Sequence, residues 1–180
     1  MPALHHGQAL MHASGTYGVI TPAENPFRDP HAKPRWAELT RLAGDRAAIL
    51  FEDLRRRLAG IDGLQEELFY AGPDDGWLPR YKAGEQVLFS AHILPGALEA
   101  SIELEAPLRD RALASPRVAA GIKEALRRAA LAPEGNVRLR LSSASLVRSF
   151  ARLVLMKSRF DNRRQGGGQC HPETPPRSRR

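Results

Sequence analysis

Between Gly63 and Leu104 apolar and polar residues tend to alternate, and every interruption is a turn of only a few residues. Parallel neighbours need a crossover of roughly a dozen residues or more, so these strands are restricted to an antiparallel meander. Leu64–Ala71 reads as the first strand, with its alternation blurred, and Gly72-Pro73-Asp74-Asp75-Gly76 as a turn. Trp77, Pro79 and Tyr81 then alternate with Leu78, Arg80 and Lys82, and Pro79 points to an edge or irregular strand. After Ala83-Gly84-Glu85, Val87, Phe89, Ala91 and Ile93 alternate with Leu88, Ser90, His92 and Leu94. Pro95-Gly96 turns the chain into the cleanest half-buried strand. There Leu98, Ala100, Ile102 and Leu104 face one way, and Glu99, Ser101 and Glu103 the other.

Helical periodicity flanks this meander. Trp36, Leu39, Ala43, Ala47, Leu50, Leu54 and Leu58 recur at three- and four-residue steps, with Gly44-Asp45 as a point of division. A second helix is expected from Ser115-Pro116, carrying Val118, Ile122, Ala125 and Ala129 on one face. Val137, Leu139 and Leu141 alternate with Arg138 and Arg140 as a last short strand. Ser142 or Ser143 then caps a helix with the stripe Leu146, Phe150, Leu153 and Val154. A sheet with one apolar face needs cover, and amphipathic helices supply it. The expected fold is therefore α+β with two layers: a largely antiparallel sheet of four to five strands, covered on one face by three helices. The domain is expected at residues 34–160, between a disordered N-terminal segment at 1–33 and a disordered basic tail at 161–180.

Charge qualifies what such a domain binds. The formal net charge is +7, but residues 34–160 carry 20 Lys/Arg against 16 Asp/Glu, and residues 161–180 carry five arginines against two acids. Almost half of the excess lies in the tail, which weakens a nucleic-acid reading of the domain itself. The single cysteine, Cys170, cannot close an internal disulfide. No apolar run approaches the ~20 residues needed to cross a bilayer, and no secretory signal is visible, so the chain reads as cytoplasmic with no membrane partner. Met1 and Met11 are both available as the start, and His5-His6 has no acid or cysteine at ligand spacing, so no metal is expected there.

The polar sides of the strands hold the candidate site. Arg80, Lys82, His92, Arg138 and Arg140 would share the face opposite the core and make a cationic surface for a phosphate or carboxylate. The competing reading is a solvated face on which Glu99 and Glu103 balance the charge. Trp77, beside Asp74 and Asp75, could close a ligand pocket, although turn chemistry and core packing account for the same residues. His92 would act as a base only if an acid and a serine, Ser90 or Ser101, came into register with it. On the last helix Arg148, Arg152 and Arg159 form either an anion stripe or an ordinary solvated face. Phosphate-binding glycine loops, CxxC pairs and HExxH are missing, so no cofactor and no metal is expected.

The stretch Glu67-Leu68-Phe69-Tyr70, Asp75-Gly76-Trp77-Leu78-Pro79-Arg80-Tyr81-Lys82 and Leu94-Pro95-Gly96, with Trp36 before it and Leu155-Met156-Lys157 after, resembles a bacterial family known as domain of unknown function 3788. The resemblance covers roughly residues 34–160 and implies an α+β fold in a bacterial cytoplasm, with no activity attached. Where that family often carries a lysine before Gly-Trp, this chain has Pro73-Asp74-Asp75. These readings together lead to a non-catalytic module that binds a small anionic ligand or a protein partner. The alternatives are weak nucleic-acid association through the basic tail and last helix, or a hydrolase-like enzyme using Asp74, Asp75 or His92.

Overall fold

Alternation and helical periodicity become two layers in the computed structural model, which describes residues 26–130 and 136–166. The order is α1 (Trp36–Leu58), β1 (Leu64–Tyr70), β2 (Trp77–Ala83), β3 (Gln86–Leu94), β4 (Ala97–Glu103), α2 (Ala106–Ala114), α3 (Ala120–Ala129), β5 (Asn136–Arg140) and α4 (Ala144–Gly166). The five strands make one sheet in the order β1-β2-β3-β4-β5, and every neighbouring pair is antiparallel. The fold is α+β. Expected disorder at 1–25 and 167–180 falls outside the described residues. No helix among the described residues is long and apolar enough to cross a membrane.

One face of the sheet carries the core. Tyr81 stacks on Phe89 at 4.3 Å between ring centroids, and Phe89 meets the edge of Phe150 from α4 at 5.3 Å. Leu39, Phe51, Leu54 and Leu58 of α1 join them, so the three- and four-residue stripe read from the sequence is the buried one. Gly44 takes a φ of 67° inside α1 and kinks it, where an L side chain would be strained.

Five features depart from the expected arrangement. First, α2 is an additional helix. Its short stripe, Leu108 and Ala112, falls below what periodicity can resolve. Second, α3 starts at Ala120 rather than at Ser115-Pro116, because Ser115 closes α2 by donating its N–H to the carbonyls of Arg111 and Ala112. Third, β3 does not alternate throughout. Tyr81 pairs with Phe89 but Lys82 with Val87, leaving Leu88 as an extra residue. Leu88 and Phe89 are therefore both buried, while Val87, expected in the core, is exposed. Lys157 of α4 donates its ammonium to the Leu88 carbonyl at 3.2 Å, which satisfies the bulge. Fourth, β2 is an interior strand rather than an edge, and the other alternative read from Pro79, an irregular strand, is the one present. Pro79 fits because it lies just outside Arg80–Ala83, the part that pairs with β3. Fifth, the folded unit begins before Pro34 and α4 continues past Phe160: Phe27 packs against the core, and Trp77 donates its backbone N–H to the Phe27 carbonyl.

Candidate functional site

Strand alternation sorts the six candidate residues onto two faces. Trp77 stands opposite Tyr70 in register and meets its ring at 5.6 Å, on the side of the core. Its indole N–H donates to the Asp29 carbonyl at 2.9 Å, and Lys33 lies over its ring. Trp77 is thus an anchor for the segment that leads into α1, and it is separated from the other five. Arg80, Lys82, His92, Arg138 and Arg140 share the opposite face, as alternation requires.

The cations on that face have acids as neighbours. Arg80 and Lys82 both reach Glu67, at 2.7 Å from the Arg80 Nε and 3.4 Å from the Lys82 ammonium. The Arg80 hydrogen bond, with Lys82 behind it, holds the Glu67 carboxyl below the usual carboxylate range against some desolvation. Arg80 also lies over the Phe69 ring at 3.9 Å. Glu99, buried, stands directly opposite Arg140 on one side and His92 on the other. The face is charge-matched rather than cationic.

At its centre three elements converge on His92 of β3, which is 5 % exposed. The turn between β1 and β2 closes through the Gly76 N–H to the Gly72 carbonyl at 2.7 Å, and from it Asp75 reaches across to β5. Its Oδ1 accepts from Arg138 Nη2 at 2.6 Å and lies 3.5 Å from His92 Nδ1. Ser101, two residues along β4 from the register partner of His92, places its hydroxyl 3.1 Å from His92 Nε2. Arg138 Nη2 is 3.3 Å from both ring nitrogens, so it stands over the imidazole rather than in line with either lone pair. Burial first, and the Arg138 charge second, push the His92 pKa down from 6.5 to about 4, with Asp75 opposing. The ring is neutral at neutral pH.

Asp75, His92 and Ser101 are therefore in the order of an acid–base–hydroxyl relay. Two features weaken it as one. The contact to Asp75 is long for a hydrogen bond, because Arg138 holds that carboxylate at 2.6 Å. A base with a pKa near 4 is also a poor proton acceptor at neutral pH. Asp74 is exposed and makes no contact with His92 among the described residues. No group of three or more His, Cys, Asp or Glu among the described residues is placed to hold a metal ion.

A second site was read only in part from the sequence, through Arg152 and Arg159 of the last helix, because the rest of it depends on α2. Arg111 in the last turn of α2, Arg117 in the α2–α3 connection, and Arg152 and Arg159 of α4 rim a pocket of about 430 Å³. Its floor is apolar, with Val118, Leu155 and Met156, and no acidic side chain among the described residues lines it. The Ala119 N–H donates to the Ser149 hydroxyl at 2.7 Å, which fixes the connection against α4. Arg152 donates to the Arg117 carbonyl at 3.3 Å, and none of the four arginines makes an ion pair among the described residues. The signal in the sequence was the stripe Arg152, Leu155, Met156, Arg159, one helix face at steps of three, one and three. Arg148, exposed on the same helix, is not part of the rim.

No family model, curated protein or solved structure matches this chain.

Proposed function

We propose that this protein is a non-catalytic binding module for a small amphipathic anion, a phosphate or carboxylate attached to an apolar group. The observation that carries the proposal is the four-arginine rim over an apolar floor, with no acid among the described residues of its lining. Guanidinium groups that hold no carboxylate among the described residues offer bidentate donors to oxyanions, and the floor takes the apolar part. The ligand class is the one expected for the sheet face. The site differs, because on the sheet face Arg80, Lys82 and Arg138 already hold carboxylates. A bacterial cytoplasmic setting and the resemblance to domain of unknown function 3788 belong to this reading and add no activity to it.

Thermal shift with octyl phosphate, inorganic phosphate and octanol tests the proposal. Octyl phosphate is expected to raise the melting temperature at concentrations where the other two do not, since stabilisation follows ligand concentration over Kd. Arg111→Glu and Arg159→Glu should each weaken that response at least tenfold, while Arg41→Glu, an equal charge change on the exposed side of α1, should not. An equal response in all three variants would refute the site. A response to short single-stranded DNA stronger than to octyl phosphate, and lost in moderate salt, would favour nucleic-acid association through α4 instead.

A second reading is hydrolase-like chemistry, favoured by the 3.1 Å contact between Ser101 and His92 next to Asp75. It requires Ser101 to become acylated by an activated ester. The absence of a Ser101 adduct by mass spectrometry after incubation with p-nitrophenyl acetate would count against it.

A further inference from the structure

Two of the rim arginines stand at opposite ends of the apolar floor. Arg152, Leu155, Met156 and Arg159 follow one another along one face of α4, the arginines exposed and the two apolar residues half-buried between them. Arg152 and Arg159 are seven residues apart. That is nearly two turns, or about 10 Å along the axis at about 1.5 Å per residue. Helical side chains lean toward the N-terminus, so both guanidinium groups shift the same way and the spacing persists. Arg152 is further fixed at its end, because its Nη1 donates to the Arg117 carbonyl at 3.3 Å. Charge-assisted bonds of about 2.8 Å therefore let one oxyanion serve the Arg152 end or the Arg159 end, and not both. Neither guanidinium holds a carboxylate among the described residues. Between the ends the lining is aliphatic, and no aromatic ring among its described residues offers stacking to a base.

We infer that the ligand of this pocket carries an oxyanion at each end of a short aliphatic chain. The inference rests on the amphipathic-anion reading of the pocket and adds a second head group to it. One oxyanion takes the Arg152 end, where the Arg117 backbone holds the guanidinium in place, and the other takes Arg159 two turns along α4. The methylenes between them lie on Leu155 and Met156, and the unbranched Met156 side chain adapts to their shape. Each end then gains its own bidentate, charge-assisted pair. A chain with a single head group would instead run its apolar end against the far guanidinium, which would lose water and gain no partner. The volume of about 430 Å³ lies at the small end of ligand pockets, which keeps the chain short.

Isothermal titration calorimetry of the full chain tests the inference with octane-1,8-diyl bisphosphate, octane-1,2-diyl bisphosphate and octyl phosphate. The 1,8 compound is expected to bind at least tenfold more tightly than octyl phosphate. The 1,2 isomer has the same composition and charge with both phosphates at one end, so it should bind at least threefold more weakly than the 1,8 compound. Arg159→Gln removes one end, and the preference for the 1,8 compound over octyl phosphate should fall below threefold. Arg148→Gln, on the same helix and off the rim, should keep that preference. Octyl phosphate binding with no gain for the 1,8 compound, an equal gain for the 1,2 isomer, or a preference that survives Arg159→Gln would each overturn the second head group and leave the single-anion reading standing. Binding by none of the three would refute both.

Discussion

Acidification offers the sharpest test of how His92 is held. Its pKa is depressed from 6.5 to about 4, so between these values the unfolded chain binds a proton that the folded chain refuses. The stability at stake is complete above pH 6.5 and is lost as the pH falls toward 4. Each pH unit within that window is worth about 1.4 kcal/mol, so by pH 5 the His92 term should lower stability by about 2 kcal/mol. Carboxylates add their own pH dependence, and a His92→Asn variant subtracts it. Urea unfolding of both proteins at pH 7, 6 and 5 should show the wild-type advantage shrinking by about 2 kcal/mol over the series. Proton NMR should show the His92 ring signals unmoved down to pH 5. Curves for the two proteins that stay parallel, or an imidazole that titrates near 6.5, would refute a buried neutral His92 beneath Arg138.

Three further outcomes check the packing that positions the sites. Leu88 is fully buried at the bulge and Val87 is 39 % exposed. Leu88→Ala should therefore cost about 2–5 kcal/mol in urea unfolding, and Val87→Lys only about 0.5. Lys157→Met removes the ammonium from the Leu88 carbonyl and should cost about 1–3 kcal/mol by the same measurement, because a buried acceptor loses its donor. Tyr81 is buried with its hydroxyl donated to Glu66, and burial first, with that bond next, pushes its pKa far up. Tyr81→Phe should cost about 1–2 kcal/mol, and the wild-type phenol should show no ultraviolet ionisation signal at alkaline pH until the chain unfolds.

Two residues of the short motifs have a structural role in this chain. Trp77 and Lys157 both hold the fold together: one fastens the segment before α1, the other supports the bulge in β3. Neither belongs to the arginine rim.

What the sequence determined by itself is local. Gly and Pro at the turns set the strand limits, and Pro95-Gly96, with Gly96 at a φ of 67°, closes a two-residue hairpin that commits β3 and β4 to antiparallel pairing. Alternation placed Arg80, Lys82, His92, Arg138 and Arg140 on one face, and helical spacing identified the buried stripes of α1 and α4. These follow because side-chain direction repeats with the backbone, every second residue in a strand and about every 3.6 in a helix. The rest was decided by tertiary structure. The single extra residue at Leu88 inverts Val87 and Leu88, and only the partner strand reveals it. Asp75, His92, Ser101 and Arg138 meet because a turn folds over two strands beyond its own, a placement that no spacing encodes. Arg111 and Arg117 come to Arg152 and Arg159 from about 35 to 48 residues away, once α2 has packed on α4. β5 is an outer strand among the described residues because it is last in the order of the sheet. Local periodicity fixes which way a residue faces, and the packing of whole elements fixes what it then meets.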